Sequence, residues 1–267
     1  VITVLFIGDV FGKTGRDLVR LAVPRLARRY PIDLVIANAE NSAGGFGVTR
    51  ETGDELIAAG VDLMTSGNHV WDKKEALDYL ALEPRIVRPA NYPDGVPGRG
   101  FAIGRTRSGD EVAVLNLMGR VFMHAIDDPF SIGRREAERL RARTPVVLVD
   151  MHAEATSEKL AMGWHLDGAV TAVVGTHTHV QTADDQLLPG GTAYITDVGM
   201  TGPHDGIIGV EREPVLNRFL TGLPARFESA RGRPTFHGVV IEADPATGRA
   251  TAITRLRLSK AELEAMA

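Results

Sequence analysis

The chain contains no cysteine. That absence excludes disulfides, thiolate zinc sites, iron–sulfur clusters and cysteine nucleophiles, so any bound metal must be held by oxygen and imidazole nitrogen. An excess of one charge is also lacking. Thirty Lys and Arg stand against 34 Asp and Glu, a formal net charge of −4 that argues against stable, non-specific nucleic-acid binding. No apolar run reaches the length of a membrane span, and the first residues lack a basic region followed by a cleavage site. Residues 1–7 are too short for a signal sequence and read as a strand, so a cytoplasmic protein with no membrane partner is expected.

What is present is ordinary for a globular chain: 267 residues, 44% hydrophobic and 24% charged, enough for one large α/β domain spanning 1–267. No internal repeat, low-complexity segment or linker divides it. Composition leaves homo-oligomer formation open.

Short apolar runs rich in β-branched residues alternate with helical periodicity. Strands are expected at 1–7, 34–37 and 61–66, followed by helices from Thr14, from Arg50 to Gly60 and from Lys73 to Leu82. Thr14 reads as a helix cap, with Leu18, Leu21, Ala22 and Leu26 on one face, and Pro24 should kink or split that helix. This βαβαβα order argues for parallel strands with right-handed crossovers. A hairpin follows (101–103 with 112–117), then a polar helix at 133–143, a strand at 145–149, a helix at 157–168 and a strand at 169–174. Further strands are expected at 192–196, 238–242 and 250–258. Two sheets flanked by helices are the simplest architecture.

Five of these strands end in metal-capable side chains: Asp9; Glu40 and Asn41; Asn68 and His69; His152; His177 and His179. In open α/β folds the ligand site lies beyond the carboxyl ends of the strands, so parallel neighbours would bring these loops to one edge. The pair in Gly175-Thr-His-Thr-His179 carries little weight alone, since residues two apart face one way on many surfaces. Taken singly, Asp9 reads as a turn residue, Asn68 as a turn former and His152 as a buried structural histidine. Their joint occurrence at five strand ends points to metal. The candidates exceed the three or four protein ligands of one zinc ion, and two ions bridged by a carboxylate suit phosphoester hydrolysis. Carboxylate, amide and imidazole donors together fit iron, manganese or zinc.

In order, Gly8-Asp9, Glu40-Asn41, Gly67-Asn68-His69, His152 and Gly175-Thr-His-Thr-His179 resemble the blocks of the calcineurin-like metallophosphoesterases. Phe6-Ile-Gly-Asp-Val-Phe-Gly12, Asn38-Ala-Glu-Asn-Ser-Ala-Gly-Gly45 and Asp197-Val-Gly-Met-Thr-Gly-Pro203 are similar to the bacterial YmdB-like branch. The resemblance covers the chain from Val1 to about Val210. It implies a two-sheet sandwich of mixed strands flanked by helices, in four layers, and a di-metal phosphodiesterase of cyclic nucleotides, including 2′,3′-cyclic ones. It implies Asp9 and His179 at a first metal, Asn68, His152 and His177 at a second, and Glu40 bridging. The superfamily usually has His where Phe11 stands and Asp where Glu40 stands; Asn41 is the candidate to fill the vacancy at the first metal. The implied mechanism is in-line attack by a metal-bridging hydroxide, with His69 assisting the leaving group. Iron or manganese is favoured in that branch, with zinc compatible.

Weaker candidates for substrate contact are Arg120, Thr201 and Gly202. His124, His165, His204 and His237 show no partner pattern and read as structural or exposed. A phosphate-binding loop at Gly8-Asp-Val-Phe-Gly-Lys-Thr14 is one residue too short between its glycines. A metallo-β-lactamase reading of the His pair fails because Val180-Gln181 stand where Asp-His would be needed. A metal-dependent regulatory protein that binds a nucleotide with little or no turnover is the alternative from another class.

Overall fold

Why the first strand is central can be read from its residues. In the computed structural model, which describes residues 1–266, β1 (Ile2–Ile7) is buried along its whole length. Its side chains alternate. Ile2, Val4 and Phe6 enter one apolar core, while Leu5 and Ile7 enter another. A two-residue strand, β2 (Asp9–Val10), leads into α1 (Gly12–Arg29).

Helix α1 departs from the sequence expectation twice. Phe11, not Thr14, stands at its N-terminus and offers no side-chain cap, and Pro24 neither splits nor ends it. Pro24 and Arg20 are both exposed, so the Arg20 carbonyl that loses its helical partner faces water, while Leu18, Val19, Ala22 and Leu26 stay buried. Then follow β3 (Leu34–Asn38), α2 (Arg50–Ala58), β4 (Leu63–Thr65) and α3 (Ala76–Leu82). Thr49 and Thr52 form a capping box on α2. As expected, β1, β3 and β4 are parallel neighbours.

The hairpin is β5 (Phe101–Arg105) with β6 (Glu111–Met118), antiparallel. Helix α4 (Pro129–Arg141) begins four residues before the expected start, because Asp128 caps it through the Phe130 and Ser131 amides and Pro129 opens its first turn. Strand β7 (Val146–His152) runs three residues past its expected end, so His152 belongs to the strand and stands opposite Met118 and Thr176. It is followed by α5 (Thr156–His165) and β8 (Ala172–Thr176).

The last third adds β9 (Gln186–Leu187), β10 (Ala193–Ile195), β11 (Met200–Pro203), α6 (Arg212–Thr221), β12 (Pro234–Ala243), β13 (Ala250–Ser259) and α7 (Lys260–Ala265).

One sheet has the order β2-β11-β12-β1-β3-β4, with β13 joined to β12; the other runs β5-β6-β7-β8-β10-β9. Their inner faces meet through Val4, Phe6 and Ile36 against Val114, Leu148 and Val174. The outer face of the first sheet packs on α1 and α2, and that of the second on α4 and α5. The result is the expected helix–sheet–sheet–helix sandwich of mixed strands. Among the described residues no helix is long and apolar enough to cross a membrane.

Candidate metal centre

Two parallel sets, β1, β3, β4 and β6, β7, β8, aim their carboxyl ends at one edge of the sandwich. Polar bonds link these ends across the sheets. Asn38 Nδ2 donates to Asp150 Oδ2 at 3.0 Å, and the His177 amide donates to Asp9 Oδ2 at 3.1 Å.

Glu40, just past β3, is fully buried and lies between two groups of donors. On one side its Oε1 is 3.1 Å from His152 Nε2, which is also 2.8 Å from Asn68 Oδ1. The His152 and His177 rings stand 4.8 Å apart, and Glu40, His152 and His177 each offer a ligand atom within 4.8 Å of one another. On the other side Asn41 Nδ2 is 3.2 Å from both Glu40 Oε1 and His179 Nε2, and His179 Nε2 is 3.9 Å from Asp9 Oδ1. The seven sequence candidates are thus brought together as two sets that share Glu40.

Several features test whether these residues fit a divalent cation. Asp9 Oδ1 and Asn41 Oδ1 are buried with no hydrogen-bond partner among the described residues. His152 Nδ1 donates to Thr176 Oγ1 at 2.8 Å, which donates in turn to Asp150 Oδ1 at 2.7 Å. His179 Nδ1 donates to the Ile208 carbonyl at 2.8 Å. Each ring is therefore held from behind at Nδ1, with Nε2 turned into the cluster, the arrangement that orients metal-ligating histidines. A half-turn of the Asn41 amide would put its orphaned oxygen where Nδ2 now sits. Gly67 supplies the room: a Cβ there would lie 2.2 Å from His152 Nε2 and 2.5 Å from Glu40 Oε2. The residues fit the ion.

Electrostatics point the same way. Burial pushes Asp9 well above the usual carboxylate range, and repulsion from Glu40 and Asp197 adds to it against the His152 charge. Burial would raise Glu40 too, but the charge and hydrogen bond of His152 bring it down to about 2. Burial disfavours charged His152, yet the Glu40 carboxylate outweighs it and lifts the imidazole to about 9. Burial and then the His152 charge push His177 down to about 3. Two buried carboxylates with one compensating imidazolium make a site short of positive charge.

The loop carrying the histidine pair is strained. His177 has φ 100° and His179 φ 65°, a region that costs non-glycine residues on the order of 1–3 kcal/mol each. Thr178, between them, is tied to Asp197 Oδ2 through its amide (3.1 Å) and hydroxyl (2.7 Å). Lys159 Nζ reaches the same oxygen at 2.7 Å, both charged side chains being buried.

His69 lines the cavity beside the cluster. Its Nδ1 is 2.8 Å from Asp72 Oδ2, its ring centroid 5.3 Å from that of Phe46, and its amide donates to Glu40 Oε2 at 3.1 Å. The weaker candidates have other tasks. Arg120 pairs with Asp128 at 3.1 Å. Thr201 is buried in β11 with its hydroxyl on the His237 backbone, and Gly202 packs so closely that a Cβ would lie 2.9 Å from Phe11 Cβ. None of the three lines the cavity next to Glu40.

Sequence reasoning missed Glu154, whose Oε2 is 3.1 Å from His177 Nε2, and the supporting Asp150, Thr176, Lys159 and Asp197. Asp150 and Glu154 stand two residues either side of His152, a spacing that could have flagged them in extended chain. Phe11 fills the position of the superfamily histidine with an apolar ring 5.7 Å from the His179 ring.

A family model described as YmdB-like protein matches residues 5–256. The chain belongs to the YmdB-like family. Among similar proteins, it is 52% identical over 256 residues to the 2′,3′-cyclic-nucleotide 2′-phosphodiesterase of Bacillus subtilis (strain 168), covering 96% of this chain and 97% of that one. It is 36% identical over 267 residues to a putative phosphatase/phosphodiesterase of Mycoplasma genitalium, covering 96% and 93%. Two crystal structures superpose with TM-scores of 0.90. One is a hypothetical protein from Thermus thermophilus, at 47% identity over 97% of this chain and 99% of that chain. The other is a Mycoplasma pneumoniae protein described as a novel phosphatase, at 34% identity over 97% and 93%. The YmdB-like family and the metal-capable group together imply a divalent-metal enzyme of the metallophosphoesterase type.

Proposed function

We propose that this YmdB-like chain is a cytoplasmic phosphodiesterase of 2′,3′-cyclic nucleotides that works with two divalent ions, iron or manganese. The observation that carries the reading is the position of Glu40 between two donor sets. In this reading Asp9, Asn41 and His179 would hold one ion, Asn68, His152 and His177 would hold the other, and Glu40 would serve both. Bound ions would supply positive charge for the phosphoryl oxygens and acidify the attacking water.

The chain's own residues do the remainder. Water adds to phosphorus, the bond to ribose O2′ breaks, and O2′ takes a proton, leaving a 3′-monophosphate. His69 is the proton donor. Asp72 holds its Nδ1, so Nε2 is the nitrogen free to face the leaving oxygen. Asp150 and Thr176 fix the His152 ring, and Asp197 fixes the turn bearing His177 and His179. The 52% identity to a 2′,3′-cyclic-nucleotide 2′-phosphodiesterase supports the substrate class.

Elemental analysis of the purified chain together with hydrolysis of 2′,3′-cyclic AMP tests the reading. Two ions per chain and release of 3′-AMP are expected. Stoichiometry well below two, with no turnover after adding Mn²⁺ or Fe²⁺, would overturn it. Tight nucleotide binding without product in a single-turnover assay would favour a regulatory binder instead.

A further inference from the structure

The cavity that contains the metal cluster is larger than a phosphodiester group requires. Its volume is about 670 Å³, within the range of sites that enclose a whole small molecule. Glu40, Asn41, His69, His177 and His179 line one end. Beside them the lining turns apolar and aromatic, with Phe11, Phe46 and Ile208, and Val215, Phe219 and Phe227 complete it. The transition is abrupt. The Phe46 ring stands edge-on against His69, and the Phe11 ring edge-on against His179.

The far wall comes from α6 and the segment after it. Phe219, on α6, lines the cavity yet remains 83% exposed, and the Arg218 guanidinium lies 5.5 Å above the Phe227 ring. A large aromatic side chain left in water beside a polar cluster is a binding surface in want of a flat partner.

We propose that this aromatic wall is a nucleobase subsite, on which Phe219 and the Arg218–Phe227 pair receive the base of a nucleotide whose phosphate sits at the Glu40 end. The inference rests on the proposed function and names the part of the substrate that the cluster itself does not recognise. Rings and a guanidinium offer planar faces, which favours a base over an alkyl chain. Among the described residues, the far wall carries no side chain other than Arg218 able to read a base edge by hydrogen bonds. Recognition by stacking is tolerant, so the four 2′,3′-cyclic nucleotides should be hydrolysed with kcat/KM values within about tenfold of one another, purines leading.

The test compares 2′,3′-cyclic AMP with glycerol 1,2-cyclic phosphate, a five-membered cyclic diester without a base, on the metal-loaded chain. Phe219→Ala should lower the ratio of kcat/KM for the nucleotide over the baseless diester by about tenfold, the worth of one stacked base. Phe227→Leu should lower it as well. Leu220→Ala removes an equally exposed apolar residue outside the cavity lining and should leave the ratio unchanged. In parallel, saturation-transfer NMR with adenosine reads the subsite without turnover. The base protons should gain saturation from the native chain and lose it with Phe219→Ala. Equal ratios in native and Phe219→Ala protein, or a Leu220→Ala effect as large as that of Phe219→Ala, would overturn the subsite. Preference for an alkyl glycerophosphodiester over the nucleotide would do the same. If neither cyclic diester is hydrolysed, the functional reading fails, and adenosine contact alone decides the subsite: saturation lost with Phe219→Ala supports it, and no saturation overturns it.

Discussion

Lys159→Met should be among the most damaging substitutions outside the candidate metal ligands. Lys159 and Asp197 are both buried, and their charged atoms stand 2.7 Å apart. Asp197 also accepts from the Thr178 amide and hydroxyl and from the Gly199 amide at 2.7 Å. Methionine keeps an unbranched stem next to Gly175, whose missing Cβ would lie 2.9 Å from Lys159 Cδ, so packing is largely retained. What is lost is the counter-charge. A buried carboxylate with three neutral donors remains, and breaking such a pair costs about 3–5 kcal/mol. For a chain of this size that is a fall of about 10 °C in Tm. Urea unfolding of metal-stripped protein in chelator measures the loss without interference from bound ions. Because the same carboxylate anchors Thr178, metal affinity should fall with stability. Lys159→Met combined with Asp197→Asn should recover about 2 kcal/mol relative to Lys159→Met alone, since no unpaired charge stays buried. A loss under about 1 kcal/mol, or a double variant less stable than the single, would refute the reasoning.

His69→Ala should keep full metal content by elemental analysis while kcat for 2′,3′-cyclic AMP drops about 10²–10⁴-fold. Gly67→Ala should do the reverse, losing metal because its methyl would meet His152 Nε2 and Glu40 Oε2, which metal titration would detect. Asp150→Ala removes the acceptor behind Thr176 and His152 and should weaken metal binding about 10–100-fold in the same titration. His152, lifted to about 9 by Glu40 against the effect of burial, carries a proton at pH 7 that coordination must displace. Loading at pH 7 should therefore release about one proton from this imidazole, and affinity should rise from pH 7 towards 9; calorimetry in buffers of different ionisation enthalpy measures both.

Much of the architecture was legible because β1, β3 and β4 are continuous apolar runs with turn residues at their ends, a pattern that parallel buried strands impose. The candidate cluster was legible for the same reason, since strand ends are where such sheets gather side chains. Pro24 misled because the cost of an internal proline depends on which face its orphaned carbonyl meets, a tertiary fact. His152 was placed one element too late, in a loop, because Asp150 and His152 look like a polar stop; they are strand residues whose polarity is satisfied by Thr65, Thr176 and Asn38 across the core. β9 and β11 are too short to show alternation. The Ser259–Glu262 capping box of α7 is a start signal carried by the sequence itself. The Lys159–Asp197 pair, 38 residues apart in sequence, could be recognised only once the fold had brought it beside the histidines.

Asp150 has a consequence for the order in which the molecule assembles. It sits on the second sheet and receives Asn38 and Thr65 from the first, so side-chain bonds between the two sheets tie the seam beneath the cluster. The candidate ligands above it stretch from Asp9 to His179, and both sheets must dock before they converge. No local segment contains enough of them to trap an ion during early folding. Metal loading should thus follow the docking of both sheets, and a chelator should silence the enzyme while leaving a folded apo-protein ready to be recharged.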